Sequence, residues 1–223
     1  ALQLKKAGVD RVNISLDTHK RGRFTEIARM DRLGEVLEGI EEAIEAGLQP
    51  VKLNTVLMKG IIEDEVLDLV RFAAEKSIEV RFIELMPTDG NVQLDVKERF
   101  FGTEEAKAKI EEEFKLTPFD TYFSSPAQVF LVVGTNARVG FISPLSCVFC
   151  SRCNRLRLKA NGKLKTCLHG KEDLDLKHLL RTGESLEEIK RRIEETVWVR
   201  PEQHFLNEPQ IRHNDFQMSH VGG

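Results

Sequence analysis

Apolar and polar positions alternate with two different periods along the first part of the chain. In "RVNISLD" (11–17) Val12 and Ile14 point one way and Asn13 and Ser15 the other, as a half-buried strand requires. Residues 31–46 switch to helical spacing, with Leu33, Val36, Leu37, Ile40, Ala43 and Ile44 on one stripe and Gly47 as the expected C-cap. "PVKLNTVLM" (50–58) reads as a strand with Lys52 and Asn54 on one face. A helix over 64–76 follows, striped by Val66, Leu69, Val70 and Ala73, and then a strand over 79–87. Strands alternating with helices over short links predict a parallel sheet with crossover connections. Ser15, Asp17, Asn54 and Glu84 lie near the C-terminal ends of these strands. Ligands bind at that edge in barrels and open α/β sheets, although satisfied polar groups also end strands.

The character changes after residue 90. A charged helix is expected over 103–114 and a hairpin over 127–143, turning at Gly134 and Asn136. A helix over 185–197 opens on a capping box of Ser185 and Glu188. The tail, 201–223, has no period. The sequence starts at Ala1 within a helix expected to end at Gly8, so the chain is read as a fragment of a larger fold.

Composition narrows the class. Hydrophobic residues make up 41% and charged residues 31%, ordinary for a globular protein with a real core. The net charge of −3 and pI near 6.1 do not suggest bulk nucleic-acid binding. No apolar run is long enough to span a membrane, and no signal peptide opens the chain. All four cysteines fall within 147–167, which points to metal binding in a reducing compartment, here the cytoplasm.

That segment, "CVFCSRCNRLRLKANGKLKTC", begins as C-x2-C-x2-C. Asn161-Gly162 signals a type I′ hairpin whose return brings Cys167 beside residues 155–156, next to Cys153. Cys150, Cys153 and Cys167 then reach one centre. Leu156 and Leu158 are expected to face a core, leaving Arg155 and Arg157 on the face of Cys153. Two guanidiniums there offer forked donors to a phosphate or carboxylate, or simply offset thiolate charge. Spacing alone leaves a four-cysteine zinc site and an iron–sulfur cluster both open, with iron–sulfur favoured.

"FCSRCNRLRLKANGKLKTCL", with "NISLD", "PVKLNTVLMKG", "RFIELMP" and the terminal "GG", closely resembles the molybdenum cofactor biosynthesis protein A family. These are the GTP 3′,8-cyclases of the radical S-adenosylmethionine superfamily. The likeness covers nearly the whole chain, and the intervals from Ser15 to Lys52 and from Lys52 to Met86 fit the family's spacing.

The resemblance implies part of an incomplete (βα)6 TIM-type barrel over 1–100, then an auxiliary-cluster and substrate-binding α+β domain over 101–223. It implies a 4Fe–4S cluster on Cys150, Cys153 and Cys167, with one iron open to the guanine of GTP. Cys147 matches no required ligand; it is either a spare thiol or the closing ligand of that iron. Further GTP contacts fall on Lys52, Arg81, Arg155, Leu156 and Arg157, with Arg81 also a catalytic residue. S-adenosylmethionine contacts fall on Ser15 and Met86, and Gly222 and Gly223 form a tail that reaches the active site. The reaction implied joins C3′ of the GTP ribose to guanine C8, and the product passes to a cyclic pyranopterin monophosphate synthase. The family's second 4Fe–4S cluster is held by a C-x3-C-x2-C motif absent here, so the chain alone is expected to be inactive. A homodimer is left open. Rival readings are a non-enzymatic iron–sulfur or zinc module, and another radical S-adenosylmethionine enzyme with an auxiliary cluster. His204 and His220 are read as surface residues without a role.

Overall fold

The computed structural model describes residues 1–87, 96–121, 125–168, 170 and 173–204. They divide into two units: residues 1–85 with 97–147, and residues 86–96 with 148–223.

The first unit is built on a six-stranded sheet ordered β1-β2-β3-β6-β5-β4. β1 (Val12–Ser15), β2 (Val51–Leu57), β3 (Glu79–Glu84) and β6 (Arg138–Ile142) run parallel, as the strand–helix alternation predicts. β5 (Gln128–Val132) and β4 (Leu116–Phe119) add antiparallel strands, so the sheet continues well past residue 100. β4 carries Pro118, which lacks a donor for the ladder; its edge position is where a proline is tolerated.

The unit's helices include α1 (Leu2–Lys6), α2 (Arg21–Ala28), α3 (Leu33–Glu45), α4 (Val66–Lys76) and α5 (Thr103–Glu111). α3 packs on β2, α4 on β3 and β6, and α5 on β3 and α4. The core therefore lies on one face of the sheet: Leu53, Leu57, Val80, Phe82, Val139 and Phe141 meet Ile40, Ala43, Leu69, Ala73, Ala106 and Ile110. Complete burial of each such large apolar side chain stabilises the fold by about 1.5–3 kcal/mol. α3 ends as expected at Gly47, whose φ is +68°. Gly47 N–H donates to Ile44 and Leu48 N–H to Ala43, closing the last carbonyls as a Schellman motif does. Buried Glu65 fastens the end of β1, accepting from Thr18 Oγ1 at 2.6 Å and the His19 N–H at 3.2 Å.

The second unit has a three-stranded antiparallel sheet, β7 (Arg157–Leu158), β8 (Lys163–Lys165) and β9 (Asp173–Asp175). α6 (Leu176–Arg181) packs on β8 and α7 (Leu186–Trp198) on β9. Ser185 caps α7 by accepting from Glu188 N–H at 3.1 Å. The reciprocal half of the expected capping box is missing, because the Glu188 carboxylate binds Arg191 and Arg192 instead.

Two expectations for the cysteine hairpin are corrected. The turn is not type I′, which needs positive φ at both central residues, whereas only Gly162 has it (+84°). Gly162 N–H donates to Lys159 O, and Lys159 N–H donates to Lys163 O. This is a three-residue loop with Gly162 as the left-handed bulge residue. Leu156 and Leu158 do not face a core; they are 46% and 67% exposed. β7 is an edge strand and the helices cover β8 and β9, so Leu164 on the central strand is buried instead.

Candidate functional site

In the first unit the face of the sheet opposite the core carries two polar rows below an apolar row of Val56, Ile83 and Ile142. Strand register sets its side chains in rows. Asn13, Lys52, Glu79 and Arg138 form one row, and Ser15, Asn54, Arg81 and Gly140 form the next toward the C-terminal ends. Three of the expected site residues, Ser15, Lys52 and Arg81, therefore share one face.

Glu79 is buried and accepts from Arg81 Nε at 2.5 Å. Glu84 lies on the other face of β3 and does not meet Arg81. A Cβ on Gly140 would come within 3.2 Å of Arg81 Cγ, so the glycine leaves room for the arginine stem. Burial depresses the Lys52 ammonium; Glu79 opposes the shift, and Arg81, Arg11 and Arg138 add to it. Three guanidiniums thus act on Lys52, and Glu79, which opposes them, is already engaged by Arg81. Asn54 Oδ1 and Arg138 Nε are buried without a hydrogen-bond partner. Such a surface is arranged for an anionic, hydrogen-bonding ligand.

Asp17 extends the same face. It accepts from Val56 N–H at 2.7 Å, and burial pushes its carboxyl up from the usual range. Glu84 is different. It is fully buried on the core side and accepts from Thr103 N–H and Oγ1, Leu145 N–H, and the N–H and hydroxyl of Ser146. This carboxylate holds the loop before the cysteine segment and is a structural group.

Cys147 closes the first unit. It is exposed, and its N–H donates to Ser143 O at 3.1 Å. Met86, two residues beyond β3, groups with the second unit and is half-buried.

In the second unit a short 3-10 turn, Cys150–Arg152, carries the first ligand candidate and returns Cys153 N–H to Cys150 O at 3.0 Å. Arg157 pairs with Lys165 across the β7–β8 ladder. Carried two places past the ladder, the same register would set Arg155 opposite Cys167, on the face of Arg157. Arg155 and Arg157 are half-buried there, while Leu156 and Leu158 point to solvent. The four cysteines are free thiols.

Burial raises the Cys150 thiol, and the charges of Cys167 and Cys153 raise it further. A backbone N–H from His204 and the Arg200 charge pull the other way. Arg200 Nη2 also donates to Cys153 O at 2.8 Å. Sequence reading missed Arg200 and took His204 for a surface residue; the only available signal was a basic residue just past the end of α7. Among the described residues no group of three or more His, Cys, Asp or Glu closes round a single metal ion. The charges of Cys153 and Cys167 both reach the Cys150 thiol. Gly222, Gly223 and His220 lie outside the described residues.

A parallel α/β sheet with a cationic open face, followed by a thiol-bearing hairpin unit, matches two family models. Residues 1–73 match the radical SAM superfamily and residues 78–206 match Molybdenum Cofactor Synthesis C. Curated relatives named GTP 3′,8-cyclase align along almost the entire chain. The one from Alkaliphilus metalliredigens is 42% identical over 99% of this chain and 67% of its own length. Those from Thermodesulfovibrio yellowstonii and Clostridium acetobutylicum are 43% and 38% identical, over 91% and 100% of this chain and 62% and 68% of their own lengths. The chain belongs to the GTP 3′,8-cyclase family of molybdenum cofactor biosynthesis. It spans about two thirds of the length of these relatives. Membership of a radical SAM family implies 4Fe–4S chemistry and S-adenosylmethionine. Among the described residues no helix is long and apolar enough to cross a membrane.

Proposed function

We propose that this chain is the substrate-holding part of a cytoplasmic GTP 3′,8-cyclase. The observation that carries this reading is the cationic sheet face, where buried polar atoms lack partners and Lys52 and Arg81 stand beside an engaged Glu79. The parallel strands β1, β2 and β3 support assignment of residues 1–100 to an incomplete barrel; residues 101–223 are taken as the auxiliary-cluster and substrate domain, although β4, β5 and β6 continue the same sheet. Lys52 and Arg81 bind the phosphates of GTP as charge-assisted donors. Arg81 also acts as a catalytic residue, its Nε bond to Glu79 fixing the guanidinium against the substrate. Ser15 and Met86 contact S-adenosylmethionine.

Cys150, Cys153 and Cys167 hold a 4Fe–4S cluster in the second unit. When bound, that group supplies an iron with an open coordination position for the guanine base. Arg155 and Arg157 flank it on the Cys167 face, and Leu156 packs on the nucleotide. Its exposure suits a contact with ligand better than a place in a core. Gly222 and Gly223 belong to the tail that approaches the site. The product then goes to a cyclic pyranopterin monophosphate synthase.

The test is an anaerobic reconstitution, one-electron reduction of the cluster with dithionite, and electron paramagnetic resonance with and without GTP. The expected result is an oxygen-sensitive 4Fe–4S signal that shifts on adding GTP. A stoichiometric zinc in its place, or a signal indifferent to GTP, overturns the reading.

A further inference from the structure

Arg138 sits on the same sheet face as Lys52 and Arg81 but has no role in the reading above. It is the β6 member of the row that contains Lys52 and Glu79. Its guanidinium lies 4.0 Å from the ring centroid of Phe119, and its Nε is buried without a hydrogen-bond partner. Glu79, the carboxylate beside it in register, is taken by Arg81. Among the described residues no carboxylate lies within ion-pair reach of Arg138. An aromatic platform fixes a guanidinium plane and leaves its edge free for a forked acceptor.

Depth within the sheet decides which acceptor. Ligands of parallel α/β sheets enter at the C-terminal ends of the strands. Ser15 ends β1 in the same row as Arg81, and Arg81 lies one row below Ile83, the last residue of this face on β3. Lys52 and Arg138 stand one row deeper again, roughly 7 Å further along the strands. They flank Glu79 and are separated by two strand spacings, about 10 Å. A nucleotide bound with its sugar toward the strand ends and its phosphates on Arg81 extends its last phosphate toward that row.

We propose that Arg138, stacked on Phe119, binds the terminal phosphate of the nucleotide and makes the site select a triphosphate over a diphosphate. This rests on the reading of the sheet face as the GTP phosphate site. Neither Arg138 nor Phe119 belongs to the residues assigned there.

Binding of GTP and of GDP to the complete reconstituted protein, measured by titration calorimetry, tests it. Wild type should favour GTP, and Arg138→Met should weaken GTP on the order of ten-fold or more while GDP changes less than about two-fold. Phe119→Leu keeps the charge but removes the platform, and should weaken GTP alone by a smaller factor. If Arg138→Met unfolds, Arg138→Lys is read instead, with the same selective loss expected. Equal losses for GTP and GDP, or no loss for either in a folded variant, overturn the role of Arg138 while leaving the phosphate site standing. A wild-type protein that binds neither nucleotide overturns both.

Discussion

Arg157 stands directly opposite Lys165 in the β7–β8 ladder, and this one pairing decides which face Cys167 occupies. A two-residue turn at Asn161-Gly162 would pair residue 157 with 166 and put Cys167 opposite Leu156, on the leucine face. The additional loop residue shifts the register by one, which past the end of the ladder directs Cys167 toward Arg155, since a one-residue slip turns every side chain to the other side. Gly162 makes that loop possible. Its φ is +84°, and an added Cβ there would overlap Cβ of Lys177.

Gly162→Ala should therefore cost about 2–3 kcal/mol, from left-handed strain and the displaced start of α6. The reconstituted variant should also hold less iron per chain. A melting temperature and iron content equal to wild type would show that the bulge does not set the ligand geometry.

The parallel half of the fold was legible because two periods dominate it. β1, β2, β3, α3 and α4 appear where alternation and helical stripes put them, shortened by a few residues at their ends. α2, β4, β9 and α6 were not read. They are short, and β4 contains a proline that argues against a strand until its edge position is known. At the site, alternation alone brought Lys52 and Asn54 to one face, but only register across strands shows that Arg81 and Arg138 share it. The leucines of β7 were misread because alternation does not say which strand lies at the edge; Leu158 shares a face with buried Leu164 but stands outside the helices' cover. Arg200 was invisible, since a residue 47 positions from Cys153 leaves no local pattern.

Glu84 and Ser146 make a second testable link. The buried carboxylate accepts from two backbone amides and the hydroxyl of the Ser143–Cys147 turn, and also from Thr103 at the start of α5. Glu84→Gln turns an amide NH2 toward donors and removes the charge that several of them share. A loss of about 3 kcal/mol is expected. Native-state hydrogen exchange should show the Leu145 and Ser146 amides deprotected first. Uniform acceleration across the sheet would mean that Glu84 supports the core generally and does not anchor this loop.

The same loop bears on the number of cluster ligands. Cys147 is exposed and held by its own N–H to Ser143 in the turn that Glu84 anchors, whereas Cys150 and Cys153 belong to the hairpin unit. Cys147→Ser should keep full iron content and its response to GTP. Cys153→Ser should lose most of its iron. Equal iron loss in both variants would make Cys147 a fourth ligand and close the position proposed for guanine.

Asp17 offers a pH test of the open sheet face. Burial raises its carboxyl above the unfolded value near 3.9, although it accepts a hydrogen bond from Val56 N–H. The native state therefore binds this proton more tightly than the unfolded chain. Stability contributed by the group is present below the unfolded value and falls as pH rises through the window up to the folded value. Asp17→Asn can keep the bond from Val56 through its amide oxygen and carries no charge to desolvate. Its melting temperature should exceed wild type at pH 7.5, and the difference should shrink steadily as pH falls toward 4. A difference independent of pH would locate the effect in packing rather than in the buried charge.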